Sequence, residues 1–310
     1  MHVSRLPVNP LSAAAVTIGS FDGVHLGHQK IVSRLTRYAQ LHGIKSVVVT
    51  FEPQPKEHIN PATAPARLSS LADKARRLKA LGVDHLVVLP FNESLRTLTA
   101  DEFVRQILIK RLNTQWLQVG DDFRFGADRK GDSQFLTQYD FDVYEMTSHC
   151  AKDGGRISST RIRDALSQAD FKLAEEMLGE PYSLSGRVIY GRQIGRTIGV
   201  PTANMLLSHS KLATQGVFAV QTTIDGKSYQ GVANLGPKPT VGDTRNWLES
   251  HLFDFNGEIY GARITVALVK RLRGVQTFDN LDALKQQIQN DIDAAKAYFS
   301  QPTEVNLTND

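Results

Sequence analysis

The sequence predicts two domains of different class: a parallel α/β sheet domain, followed by an antiparallel β domain that ends in a helix. Three observations carry this reading. The chain has 310 residues, and single hydrophobic cores seldom grow past about 250 to 300 residues. From Val16 to about Gly120, short β-branched runs alternate with helical patterns, as in a sheet whose parallel strands are joined by helices. After Tyr182 the strands follow one another at short intervals, and Ile224-Asp225-Gly226-Lys227 is a hairpin signal because Asp-Gly tolerates positive φ. That half reads as an antiparallel barrel or a sandwich.

The first half has strands at Val16 to Ile18, Ser46 to Phe51, His85 to Pro90, Gln115 to Gly120 and Phe141 to Met146. Ile31, Leu35 and Tyr38 share one helical face, as do Leu71, Ala75 and Leu78 in a second helix closed by Gly82. Thr99-Ala100-Asp101-Glu102 is a capping box that opens a third. Short helices follow Ser159 and Asp170, the latter ending at Gly179. The second half has strands at Leu184 to Tyr190, Val217 to Thr223, Tyr229 to Leu235, Leu248 to Phe253 and Arg263 to Val269. A final helix from about Leu281 to Tyr298 aligns Leu281, Leu284, Ile288, Ile292 and Ala295.

Composition excludes several classes. With 41% hydrophobic and 22% charged residues the chain is neither disordered nor a coiled coil. Its net charge of +4 is spread without runs longer than pairs such as Arg76-Arg77, which disfavours a nucleic-acid partner. No stretch of about 18 apolar residues occurs, so no membrane span is expected. Cys150 is the sole cysteine, which excludes an intrachain disulfide and suits a reducing cytoplasm.

Two segments carry chemistry. Gly19-Ser20-Phe21-Asp22-Gly23-Val24-His25-Leu26-Gly27-His28 falls where the first strand turns into a helix, the place where parallel sheets bind ligands and helix N–H groups favour phosphate. Glycines at 19, 23 and 27 allow close backbone approach, and two imidazoles three residues apart can reach one phosphate chain. On local grounds a glycine loop with two surface histidines stays open. In the second half no P-loop motif occurs. Instead, Gly191-Arg192-Gln193-Ile194-Gly195-Arg196-Thr197-Ile198-Gly199-Val200-Pro201-Thr202-Ala203-Asn204 follows the first strand.

The first segment resembles the H-x-G-H signature of nucleotidyltransferases, in the longer form G-x-F-D-G-x-H-x-G-H found in bacterial bifunctional riboflavin kinase/FMN adenylyltransferases. Thr50-Phe51-Glu52-Pro53, Gly120 to Gly126 and Ile157 to Arg163 match in the expected order. Gln54 stands where many relatives have histidine, so no role is carried over to it. The second segment is similar to the riboflavin kinase signature, continued by Gly231 to Gly236, Pro239-Thr240 and Leu248 to Leu252. Val241 and Val275 depart from it.

The resemblance implies a nucleotidyltransferase-type sheet domain over residues 1–182 and a riboflavin kinase β-barrel over 183–310. In the first, Gly19, Phe21, Asp22, Gly23, His25, Gly27 and His28 form the nucleotide site. Ser158, Ser159, Thr160 and Arg163 close over the ATP phosphates, and Asp122 lies near nucleotide or flavin. His28, Arg163, helix-end N–H groups and Mg²⁺ supply charge and donors. In the second, Gly191, Gly195, Arg196 and Gly199 belong to the ATP or flavin site, Thr202 and Asn204 hold Mg²⁺, and Glu249 is the base for the ribityl hydroxyl. His251, two residues on, supports the glutamate. Substrates implied are riboflavin, ATP and FMN, with FAD as the product. A chain with one site inactive, or a flavin carrier without turnover, is the competing reading.

Overall fold

The computed structural model describes residues 1–7, 9–147, 149–191, 199–208, 211–237 and 245–301. Gly195, Arg196, Pro239, Thr240 and Val241, named above, lie outside the described residues. The chain divides into two compact units, residues 1–161 with 177–179, and residues 162–176 with 180–310.

The first unit is built on a six-stranded parallel sheet. In chain order it comprises β1 (His2–Ser4), β2 (Ala14–Ile18), α1 (Leu26–His42), β3 (Lys45–Glu52), α2 (Pro55–Ile59), α3 (Leu71–Ala80), β4 (His85–Pro90), α4 (Glu93–Arg96), α5 (Ala100–Phe103), β5 (Thr114–Gly120), α6 (Ser133–Leu136) and β6 (Asp142–Met146). The strand order is β1-β4-β3-β2-β5-β6, and every pair is parallel. Because both faces are covered, the strands are continuously apolar: Val47, Val48 and Val49 are all fully buried. One face packs with Phe103, Ile107 and Leu108, the other with Val32, Leu35 and Leu78. The chain moves from β2 outward to β4, then crosses to β5 on the other flank. The order therefore reverses beside β2, and its carboxyl end is the switch point where such sheets bind ligands.

The helix signals act as expected. Thr99 and Glu102 form the capping box, and Gly82, at φ 82°, follows the second long helix. That third helix continues past Phe103 as a wider π turn over Val104–Ile109. The edge strand β1 carries no sequence signal of its own; two exposed residues and a half-buried one pair with the free edge of β4.

Helices α7 (Ser159–Ser167) and α8 (Phe171–Leu178) straddle the division between units. The second unit adds β7 (Ser183–Ile189), β8 (Ala203–Leu206), β9 (Gly216–Ile224), β10 (Lys227–Pro237), β11 (Asn246–Leu252), β12 (Arg263–Arg273) and α9 (Leu281–Ser300). The strands close into a barrel in the order β10-β11-β8-β7-β12-β9, which decides between barrel and sandwich. Asp225 and Gly226 turn the β9–β10 hairpin with φ of 50° and 78°, both positive as a two-residue turn requires. Helix α9 lays Ile292 and Ala295 on Val217, Ala219 and Val232, outside the barrel wall. Arg273 clamps it there through a bidentate pair with the buried Asp291, at 2.9 Å. No helix among the described residues is long and apolar enough to cross a membrane.

Candidate functional sites

The loop from Gly19 to His25 leaves β2 at the switch point in a strained conformation. Phe21 and Val24 have φ of 46° and 43°, a region that side-chain-bearing residues seldom enter and a β-branched one least of all. The surroundings over-determine it. The Asp22 carboxylate, 2% exposed, accepts the Leu68 and Ser69 N–H groups at 3.0 and 3.2 Å. Gly23 N–H donates to Ser69 Oγ at 3.1 Å, and Arg77 Nη1 donates to the Gly23 carbonyl at 2.6 Å. Gln29 Nε2 holds the Val24 carbonyl at 3.0 Å. Gly23, at φ 82° and with Leu68 only 3.0 Å from where a Cβ would sit, has no room for another residue.

His25 caps α1, its Nδ1 accepting the His28 N–H at 3.3 Å, and the two rings stack at 3.6 Å. Phe21 leans on His28 at 5.0 Å. His28 Nδ1 is buried and has no hydrogen-bond partner among the described residues. Burial first, then the nearby His25 and Lys74, hold its pKa well below the ordinary imidazole value. That direction favours the neutral imidazole, which can still donate or accept a hydrogen bond but carries no charge.

Ser159 Oγ donates to the Asp22 carbonyl at 2.9 Å, so the Ser-Ser-Thr segment meets the glycine loop directly. Ser158 Oγ accepts the Arg161 N–H at 3.2 Å as a helix cap, and Arg161 pairs with Asp153. Arg163 lies one turn past Ser159 on α7, half-buried, and falls in the second unit. Asp122, two residues past the end of β5, is exposed and receives Arg156 Nη2 at 2.8 Å.

Sequence reasoning missed Lys74. It lies on α3 with the buried Leu78 one turn away, 2% exposed, and Nζ donates to Thr50 Oγ1 at 3.3 Å. A lysine within the apolar stripe of Leu71, Ala75 and Leu78 was the available signal. Burial is the main cause that lowers its pKa from 10.5 to about 8, against attraction from Asp22. A depressed lysine pKa means the folded state holds its proton less tightly than the unfolded chain, so the stability cost is full below pH 8 and is relieved between about 8 and 10.5. Lys74→Met is therefore expected to raise unfolding free energy at pH 7 by on the order of 3 kcal/mol. Denaturant melts should show that gain shrinking as pH approaches 10.

On the barrel, strand register assembles the second site. Glu249 on β11 stands directly opposite Asn204 on β8 and Asn234 on β10, so the three share one face. It is the outer face, continuous with Val217 and Ala219 beneath α9. Asn204, 5% exposed, donates from Nδ2 to Thr202 Oγ1 at 3.3 Å and to the Thr202 carbonyl at 3.1 Å. A Cβ on Gly191 would sit 2.7 Å from the Asn204 amide, so glycine there leaves the space against that amide open. His251, two residues on, shares the face. Its Nδ1–H donates to the Pro201 carbonyl at 2.8 Å and secures the segment that carries Thr202. Strand β8 carries no separate signal, because its first two residues, Ala203 and Asn204, close the glycine-rich signature.

A strained glycine loop at the switch point of a parallel sheet, and a barrel carboxylate set opposite two asparagines, mark one candidate site in each half of the chain. Residues 9–161 match the FAD synthetase family and residues 178–299 the riboflavin kinase family. A bifunctional riboflavin kinase/FMN adenylyltransferase from Pseudomonas fluorescens is 48% identical over 285 residues, 91% of each chain. Its counterpart from Escherichia coli (strain K12) is 41% identical over 302 residues, 96% of each chain. A solved structure titled macrolide-efflux protein from Streptococcus pneumoniae superposes with a TM-score of 0.77 at 31% identity, covering 96% of this chain and 99% of that one. The chain belongs to the bifunctional riboflavin kinase/FMN adenylyltransferase family.

Proposed function

We propose that residues 1–182 adenylylate FMN at the glycine loop and residues 183–310 phosphorylate riboflavin on the barrel face, both with ATP. Family membership supplies the two activities and their order along the chain. The pairing of Glu249 with Asn204 across β11 and β8 is the observation that supports the barrel assignment most strongly. Glu249 takes the proton from the 5′-hydroxyl of riboflavin as that oxygen bonds to the γ-phosphorus, and the bond to ADP breaks. A neutral hydroxyl benefits from such a base.

Thr202 and Asn204 would hold Mg²⁺ there. A hydroxyl and an amide oxygen suit a hard cation that keeps water and substrate phosphate as its other ligands. Among the described residues no cluster of three His, Cys, Asp or Glu side chains offers an all-protein cage, in keeping with that shared coordination. When bound, the ion offsets phosphate charge that neither side chain can offset alone. Chelating divalent metal is expected to abolish riboflavin phosphorylation, measured as FMN formed; full turnover in metal-free buffer would exclude the assignment.

Adenylylation needs no base, because the attacking oxygen is the FMN phosphate. It bonds to the α-phosphorus of ATP as pyrophosphate departs. The chain has to orient both and to donate hydrogen bonds, from His25, His28 and the loop amides, with Ser158 to Thr160 and Arg163 covering the phosphates and Asp122 beside nucleotide or flavin. The single exposed Cys150 suits the cytoplasm as the place of work.

A further inference from the structure

We propose that Lys74 is a positioning residue for adenylyl transfer: through Thr50 its buried ammonium pins the Ser20 carbonyl, and so turns the Phe21 N–H toward the nucleotide phosphates. This rests on the siting of the nucleotide at the glycine loop. The contacts form a relay. Lys74 Nζ donates to Thr50 Oγ1 at 3.3 Å, and Thr50 Oγ1, itself fully buried, donates to the Ser20 carbonyl at 3.2 Å. A hydroxyl that accepts from a cation becomes a stronger donor, which tightens its hold on Ser20.

In a trans peptide the carbonyl and the following N–H point in opposite directions. With the Ser20 carbonyl drawn inward to β3, the Phe21 N–H is directed outward from the sheet, and it has no hydrogen-bond partner among the described residues. Phe21 is one of the two side-chain-bearing residues of the loop held at positive φ, so the orientation is imposed rather than intrinsic. An outward N–H beside His28 is the kind of donor that favours phosphate oxygens.

A buried ammonium with one neutral hydrogen-bond partner is poor design for stability alone. The charged and titratable groups around it are Asp22 on the loop, Glu52 on β3, Glu57 on α2, Arg67 ahead of α3, and His28 on α1. Asp22 is engaged by the Leu68 and Ser69 amides, and Arg67 by Glu52 and Glu57 at 2.7 and 2.6 Å, so among the described residues no direct ion pair holds Lys74. Its lowered pKa, about 8, adds a signature: the ammonium is present below that pH and lost above it.

The test uses the full chain with Lys74→Met and Lys74→Arg, reading FMN adenylylation as kcat/KM for ATP across pH, melting temperature, and riboflavin phosphorylation as the internal control. Lys74→Met is expected to keep the kinase, and to melt no lower than the parent, while losing adenylylation by about 10-fold or more. The wild-type profile should fall through about pH 8, and Lys74→Arg, which stays charged, should move that fall upward. Folded Lys74→Met with wild-type adenylylation, or a wild-type profile level past pH 9, would overturn the role. If Lys74→Met does not fold, Lys74→Arg decides: an alkaline limb displaced upward supports it and an unmoved limb overturns it. His28→Ala run alongside separates the premises, since wild-type adenylylation in that variant would overturn the siting of the nucleotide itself.

Discussion

Glu249→Gln is expected to lower riboflavin phosphorylation by about 10²- to 10⁴-fold, the range for loss of a general base, while supplied FMN is still converted to FAD. Glutamine preserves size and can still hydrogen-bond, so the barrel face and its register with Asn204 should persist. What disappears is the ability to accept the hydroxyl proton. The effect is confined to one step because the other substrate arrives ionised and asks for no base. The check is the rate of FMN formation from riboflavin beside the rate of FAD formation from FMN.

His28→Ala should produce the converse: FMN accumulates from riboflavin and FAD does not. Loss of a donor aimed at a transferring phosphoryl group costs about 10²- to 10³-fold. The loop should survive, since its hydrogen bonds run through Asp22, Gly23, Ser69, Arg77 and Gln29 rather than through the His28 ring. Because burial keeps the imidazole neutral, raising the pH through 7 should not by itself switch this donor off. A pH series of FAD formation from FMN for the parent and the variant measures both effects.

Much of this architecture was legible because its determinants are local. The capping box at Thr99 and the Asp225-Gly226 turn act within a few residues, and each forms as its sequence implies. The glycine loop was legible as the turn from the first strand into the first helix, but not the reason it holds its shape. Asp22 reaches Leu68, and Arg77 reaches Gly23, across 46 and 54 residues, distances no local pattern encodes. The same limit hid Lys74, whose meaning comes from Thr50 on another element. The same holds for His251, whose spacing to Glu249 is visible on one strand while its bond to Pro201, 50 residues away, is not. His28 was recognised by motif, yet its charge state depends on burial, which only the packed structure reveals.

The central claim is that one chain holds two independent phosphate-transfer sites with different chemical demands. The direct measurement is a chromatogram resolving riboflavin, FMN and FAD for the parent chain, Glu249→Gln and His28→Ala, each started once from riboflavin and once from FMN with Mg-ATP. The account predicts FAD from both starts for the parent, FAD only from FMN for Glu249→Gln, and FMN without FAD from riboflavin for His28→Ala. Equal impairment of both steps by folded Glu249→Gln, or undiminished FAD in His28→Ala, would contradict it.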